Sequence, residues 1–274
     1  CVPDLPAPAP QSYPTPDLAA EGPTNHHVGI GVSEYFLNQA MYETHRSGAL
    51  CLSLGSKNFA ALSTGLFKTF LPSLGTVAGT ETKDAPMMIA MRPLARPEVK
   101  IGEGTFDPVT KKPLKPLLTL SLKDFAIDFY ALIEDRYARI FTLTADLSVP
   151  LSLIVETSPS PGCTQTVAPA LGDLKQLITN IKTTNSEILA EDPQALAQLI
   201  PAILGLAEPA LANALTPFGV PDMNGFRIKI NTLKGINPAV RPDEYNHLGA
   251  FASIGLAGQC ASYAPETYAR LITA

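Results

Sequence analysis

The sequence contains no Trp among its 274 residues, and only 16% of them are charged, against about 25% in an ordinary soluble domain. Lys and Arg number 20 against 25 Asp and Glu, a formal charge of −5. A chain of that balance lacks the basic footprint that nucleic-acid recognition needs, so nucleic acid is not an expected partner. Four Cys and four His are present, but no CxxC, HExxH or HxxxH, so zinc-ligand spacing is missing. GxSxG and P-loop motifs are also missing, which removes the usual signals for a serine hydrolase or a nucleotide phosphate site. No uninterrupted run of 18 or more apolar residues occurs, so no helix is expected to cross a bilayer. The expectation is a protein that is not an enzyme and has no cofactor or metal. What is present is a hydrophobic fraction of 46% on a chain long enough to bury about 70–75% of its unfolded surface in a core.

Proline is concentrated at the start. Seven Pro fall within the first 23 residues, where the missing N–H donors prevent helix or ladder formation. Residues 1–26 therefore read as a polyproline-II-like tether. Cys1 heads this tract with no Met before it. That arrangement resembles a processed bacterial lipoprotein whose Cys1 carries lipid; a disulfide to Cys1 is the alternative. With Cys1 lipidated, the remaining Cys51, Cys163 and Cys260 allow one disulfide, assigned to Cys163 and Cys260.

Helical signals occupy three stretches. Over 33–47, Ser33 is a plausible N-cap and Glu34 suits the positive end of the helix dipole. Phe36, Leu37, Ala40, Met41 and Thr44 recur at three and four, a single apolar stripe. Gly48 supplies the stop. A second, short helix is expected over 58–71, with Phe59, Leu62, Leu66, Phe67 and Phe70 on one side and Pro72 ending it. A third, long helix is expected over 193–215. It has Asp192 as N-cap, Pro193 at the first helical position, and a face of Leu196, Leu199, Ile200, Ile203, Leu206, Ala207, Ala210 and Leu211, kinked by Pro201 and Pro209.

Between these lie strands. Leu50, Leu52 and Leu54 alternate with Cys51 and Ser53. From Phe141 to Val155 every odd position is apolar, which predicts one strand roughly 50 Å long. Before it, Leu118, Leu120 and Leu122 hand over to Phe125, Ile127, Phe129 and Ala131. That shift of parity at Lys123–Asp124 predicts a β-bulge, and Glu134–Asp135–Arg136 predicts a polar hairpin turn. Two further strands are expected near 223–234 and 247–259. No repeat at a fixed period appears. Lys111, Lys112 and Lys115 read as a solvated loop tip, His26–His27 and Asp124/Asp128 as structural, and Gly29-Ile30-Gly31 as an incomplete dinucleotide loop.

The run Val32-Ser33-Glu34-Tyr35-Phe36-Leu37-Asn38-Gln39-Ala40, leading to Gly48-Ala49-Leu50, resembles the opening of a barrel in the tubular lipid-binding superfamily, in the manner of the C-terminal barrel of bactericidal/permeability-increasing protein. Phe67-Lys68-Thr69-Phe70-Leu71-Pro72, the long strands over 117–156 and the order of elements carry the resemblance across about 27–258. It implies an α+β fold: one barrel at 27–260, a long, strongly twisted antiparallel sheet wrapped around a long helix, with a tail at 261–274. It also implies an apolar tube for acyl chains, lined on its helices by Phe36, Leu37, Ala40, Met41, Leu199, Ile203, Leu206 and Ala210. The function expected is lipid carriage by an outer-membrane lipoprotein facing the periplasm or cell surface, with lipid and the membrane as partners. The rival is a structural or assembly subunit that uses the barrel for contacts to other proteins or further copies of itself.

Overall fold

The alternating residues of 118–157 become the ribbon on which the fold is built. The computed structural model describes residues 1–22, 26–57, 62–78, 83–107, 109–110, 113–158, 164–171, 178–192, 196, 216–220, 222–223, 225–237 and 244–256. The chain is sheet-rich, 53% strand and 14% helix, with a strongly curled antiparallel half-barrel sheet. The order is α1 (Leu18–Glu21), β1 (Val28–Ser33), α2 (Glu34–Arg46), β2 (Leu52–Gly55), α3 (Thr64–Lys68), α4 (Leu74–Val77), β3 (Met87–Pro93), β4 (Glu98–Ile101), β5 (Thr105–Phe106), β6 (Pro113–Lys115), β7 (Leu118–Ile133), β8 (Arg136–Thr157), β9 (Gln165–Leu171), β10 (Ile178–Thr184), β11 (Phe218–Gly219), β12 (Asp222–Met223), β13 (Phe226–Ile236) and β14 (His247–Leu256).

β7 and β8 pair along their length and are joined by a two-residue turn. Glu134 and Asp135 there have φ of +46° and +65°, the left-handed pair whose twist matches that of the strands it links. The expected bulge is present. Leu122 faces Leu147 and the next pair is Phe125 with Ala145, so Lys123 and Asp124 oppose Asp146 alone. Asp124 has φ of +49°, and the Asp146 carboxylate accepts its N–H at 2.9 Å. The other carboxylate oxygen accepts from Asn180 Nδ2 at 2.6 Å. Asn180 sits in a second irregularity, between Thr179 and Lys182 of β10, with φ of +54°. One carboxylate thus fixes bulges in both neighbours of β8 at one level, where local twist and bend increase.

That level is also where the flanking strands change. Along β7, β3 pairs with Phe125–Ala131 and β4 with Leu118–Ser121. Along β8, β10 pairs with Thr142–Leu147 and β9 with Leu151–Thr157. Above the bend the inner face is filled. Phe129 stacks on Phe141 with ring centroids 4.4 Å apart, and Phe67 meets Phe129 edge-on. Leu62, Leu71, Leu74, Met87, Leu189 and Leu196 complete this buried cluster. Below the bend, Leu118, Leu120, Leu122, Leu147, Val149, Leu151, Leu153 and Val155 are only half-buried.

A second sheet, in the order β1-β14-β13-β12, lies beside the first. Gln165 joins them: its side-chain amide donates to Ile230 O at 3.1 Å and accepts from Ile230 N at 2.7 Å, at the irregularity between Ile230 and Thr232 of β13. Close approach at Gly235 adds to the seam. A Cβ there would lie 2.0 Å from Gly102 O.

Several expectations need correction. Residues 1–22 are not a free tether: Cys1 is disulfide-bonded to Cys51 across a sequence separation of 50, and the arm packs on the body. A lipid thioether and this disulfide need the same Sγ of Cys1, so the two are alternatives at that residue. Of the short helix expected over 58–71, residues 58–61 with Phe59 lie outside the described residues; in the rest the helix is α3 over Thr64–Lys68, and Phe70 is 55% exposed. β1 was unforeseen although Val28, Ile30 and Val32 alternate in it, because the Gly-Ile-Gly run reads first as a glycine motif. The expected helix over 193–215 lies outside the described residues except for Leu196, which is helical and buried. Cys163, Cys260, Lys111, Lys112 and the tail 261–274 also lie outside them.

The filled half of the ribbon should carry much of the stability. Phe129→Ala removes a fully buried ring with two aromatic partners, and is expected to cost about 3–5 kcal/mol in urea unfolding at unchanged slope. A loss below about 1 kcal/mol would contradict the packing.

Candidate functional site

Helix α2 shows how the sequence positions the first candidate site. Ser33 Oγ caps it by accepting from Phe36 N at 3.2 Å, and Gly48, with φ of +76°, follows its last turn. One face carries Glu34, Asn38, Tyr42 and His45, spaced four, four and three. Asn38 donates from Nδ2 to Val99 O at 2.9 Å and accepts from Val99 N at 2.8 Å. Glu34 Oε2 accepts from Ile101 N at 3.1 Å. Asn38 and Glu34 therefore satisfy the edge of β4 that faces away from β7, as a neighbouring strand would. His45 is 1% exposed and approaches Pro93 O at 3.2 Å through Nε2.

This changes the reading of the expected apolar stripe. Phe36 is 62% exposed and Ala40 is exposed, while Leu37 and Met41 are half-buried. Tyr42 and His45 are the buried residues of α2. Apolar periodicity cannot weigh a polar side chain that has a strand edge waiting for it. The remaining lining candidates, Leu199, Ile203, Leu206 and Ala210, lie outside the described residues.

The proline-rich arm lies against α2. Tyr42 Oη donates to Leu5 O at 3.1 Å and Arg96 Nη1 to Pro6 O at 3.1 Å. Val2, Leu5 and Pro8 are half-buried, while Pro3, Asp4, Pro6, Ala7, Ala9 and Pro10 are exposed. Burial at every third residue is the period of a polyproline II helix resting one face on a support. Beside Pro8, Ala9 and Gln11 a cleft of about 320 Å³ remains, walled by Glu34, Tyr35, Asn38, Arg96, Glu98 and Lys100 among others. Farther along, Leu18 and Pro16 sit over Gly29 and Gly31 of β1; a Cβ on Gly29 would come within 3.1 Å of Leu18. The Gly-Ile-Gly run is thus a notch for the arm.

Tyr13 meets the His247 ring edge-on at 5.9 Å. Burial raises the Tyr13 hydroxyl above its ordinary value, with the Glu34 charge adding to it. Burial also lowers His247 below its ordinary value of 6.5, and Asn246 Oδ1 lies 2.8 Å from its Nδ1.

The second candidate is the half-buried apolar face below the ribbon bend. The acids of the ribbon serve structure. Asp128, 1% exposed, accepts from Arg92 Nε at 2.6 Å and Thr142 Oγ1 at 2.7 Å, and that bond raises Arg92. Hydrogen bonds from Asn180 and from the Asp124 backbone hold Asp146 below its ordinary value. His27 Nδ1 accepts from Ile254 N at 3.0 Å, and His26 meets Phe251 edge-on. Among the described residues no group of three or more His, Cys, Asp or Glu could hold a metal ion.

No known protein-family model matches this chain, and no curated protein matches it. The reading of function therefore rests on the chain's own geometry.

His247 gives a test with a definite sign. Its depressed value means that, just below pH 6.5, the unfolded chain binds more protons at this site than the folded one. Stability then rises with pH through that window and falls on acidification. Thermal melts should show a larger loss between pH 7.5 and 5.5 for the unaltered chain than for His247→Gln. Equal losses would contradict the burial of a neutral imidazole.

Proposed function

We propose that this chain is a non-enzymatic lipid-binding protein that holds acyl chains against the lower half of its curled sheet. The supporting observation is the row of Leu118, Leu120, Leu122, Leu147, Val149, Leu151, Leu153 and Val155, apolar yet only half-buried, directly continuous with a face that above the bend carries the buried Phe129, Phe141 and Leu143. From Leu147 to Val155 that row runs roughly 25–30 Å along β8. Each methylene taken from water there gains about 0.8 kcal/mol, so twelve buried methylenes gain roughly 10 kcal/mol before ordering costs. The resemblance of the Ser33–Ala40 segment to tubular lipid-binding barrels supports the same reading.

Among the described residues no helix is long and apolar enough to cross a membrane. A disulfide between Cys1 and Cys51 suits an oxidising compartment, so the proposed location is outside the cytoplasm, on the periplasmic side of an outer membrane. There the protein would meet lipid at a membrane surface without requiring a lipid on Cys1. The second reading, an assembly subunit, draws on the paired and exposed Phe226 and Leu256 at one end of the second sheet.

Native mass spectrometry of the purified protein, with extraction of what it carries, separates the two. A stoichiometric two-chain lipid is expected, and Leu151→Asp should abolish it while leaving the circular dichroism unchanged. An empty protein that stays empty after incubation with phospholipid vesicles would overturn the lipid reading. The same intact mass reports Cys1, since the disulfide removes two hydrogens whereas acylation adds whole fatty-acyl groups.

A further inference from the structure

The way the arm is held points beyond lipid. Its segment from Val2 to Pro10 is held to the body through backbone carbonyls: Leu5 O accepts from Tyr42 Oη and Pro6 O from Arg96 Nη1. A polyproline II helix has no internal hydrogen bonds, so its carbonyls are open to such donors whatever its side chains. Tyrosine hydroxyls reading the carbonyls of an extended proline-rich segment are the chemistry of polyproline recognition grooves. Val2, Leu5 and Pro8 rest half-buried on the body. Ala7 and Ala9 are small and exposed, and the cleft of about 320 Å³ beside Pro8, Ala9 and Gln11 is left open. The Cys1–Cys51 disulfide keeps the arm in place at high effective concentration.

We propose that the groove between α2 and β4 is a recognition site for proline-rich segments of a partner protein, occupied in cis by the chain's own arm and locked by Cys1–Cys51. The preferred partner segment is a polyproline II helix with a polar side chain larger than Ala at the position now held by Ala9. That side chain would enter the cleft between Glu34, Glu98 and Lys100, where donors and acceptors both occur. A dithiol reductant opens the lock. One of its thiolates attacks a sulfur of the disulfide, its second thiol resolves the mixed disulfide, and Cys1 and Cys51 are released as thiols while the reductant becomes a disulfide. The lipid-binding face plays no part in this inference.

The test uses full-length chains and fluorescein-labelled peptides of residues 2–13, read by fluorescence anisotropy. The Cys1→Ser chain, kept reduced, should bind the peptide at least tenfold more tightly than the oxidised unaltered chain. A peptide with Ala9→Gln should bind more tightly still, and one with every Pro replaced by Gly should not bind. Arg96→Ala and Tyr42→Phe in the Cys1→Ser background should each weaken binding several-fold. If the unlocked chain binds no better than the locked one, or the Gly peptide binds as well as the Pro peptide, the proposal is overturned. Should Cys1→Ser fail to fold, the unaltered chain reduced with dithiothreitol gives the same comparison. Capture of the labelled segment only as an arm exchanged between two copies, seen as a dimer on sedimentation, would overturn the assignment to a partner protein.

Discussion

The bend in the β7–β8 ribbon is the constraint on which the remaining architecture depends. A straight antiparallel pair of this length would present one continuous apolar face needing one continuous cover. The bulges at Asp124 and Asn180, joined through the Asp146 carboxylate, divide that face in two. Above the bend, β3 and β10 flank the ribbon and α3, α4, Leu189 and Leu196 fill it. Below, β4 and β9 flank it, and the apolar row is left half-buried. Along β7, β3 stops at Phe125 and β4 takes over at Ser121, on either side of the bulge that interrupts the ladder.

Side-chain amides hold the pieces around this ribbon. Asn38 pairs with both backbone groups of Val99, and Gln165 with both of Ile230. Each satisfies a strand where no strand neighbour is available, one at the free edge of β4 and the other at the irregularity of β13. An unpaired buried backbone group costs free energy comparable to a lost hydrogen bond, so these two residues let sheets end and turn without that penalty. The arm completes the enclosure of α2. Its carbonyls meet Tyr42 and Arg96, its Leu18 enters the glycine notch of β1, and its Cys1 is fixed to Cys51. The half-buried apolar row and the arm-facing surface are thereby separated, one on the ribbon and the other on α2.

Legibility in the sequence follows the same physics. The bulge was readable because a change of apolar parity at Lys123–Asp124 has one geometric meaning. The turn at Glu134–Asp135 and the boundaries of α2 were readable from local chemistry: polar turn residues, a Ser cap and a stop glycine. The buried face of α2 was not, because Glu34, Asn38 and His45 are polar and their backbone partners Val99, Ile101 and Pro93 are more than forty residues away in sequence. The Cys1–Cys51 bond was one of several possible pairings, and spacing alone does not choose among them. β1 was missed although its pattern is in the sequence: Val28, Ile30 and Val32 keep a period of two, with the glycines that admit Leu18 and Pro16 on the alternate face.

Amide hydrogen exchange along the ribbon tests the central claim, that the bend at Asp146 separates a packed half from an open apolar half. The account predicts slowest exchange over Phe125–Ala131 and Ile140–Ala145. It predicts faster exchange over Leu118–Leu122 and Val149–Val155, slowing when phospholipid vesicles are added. Uniform protection on both sides of the bend, unchanged by lipid, would contradict it.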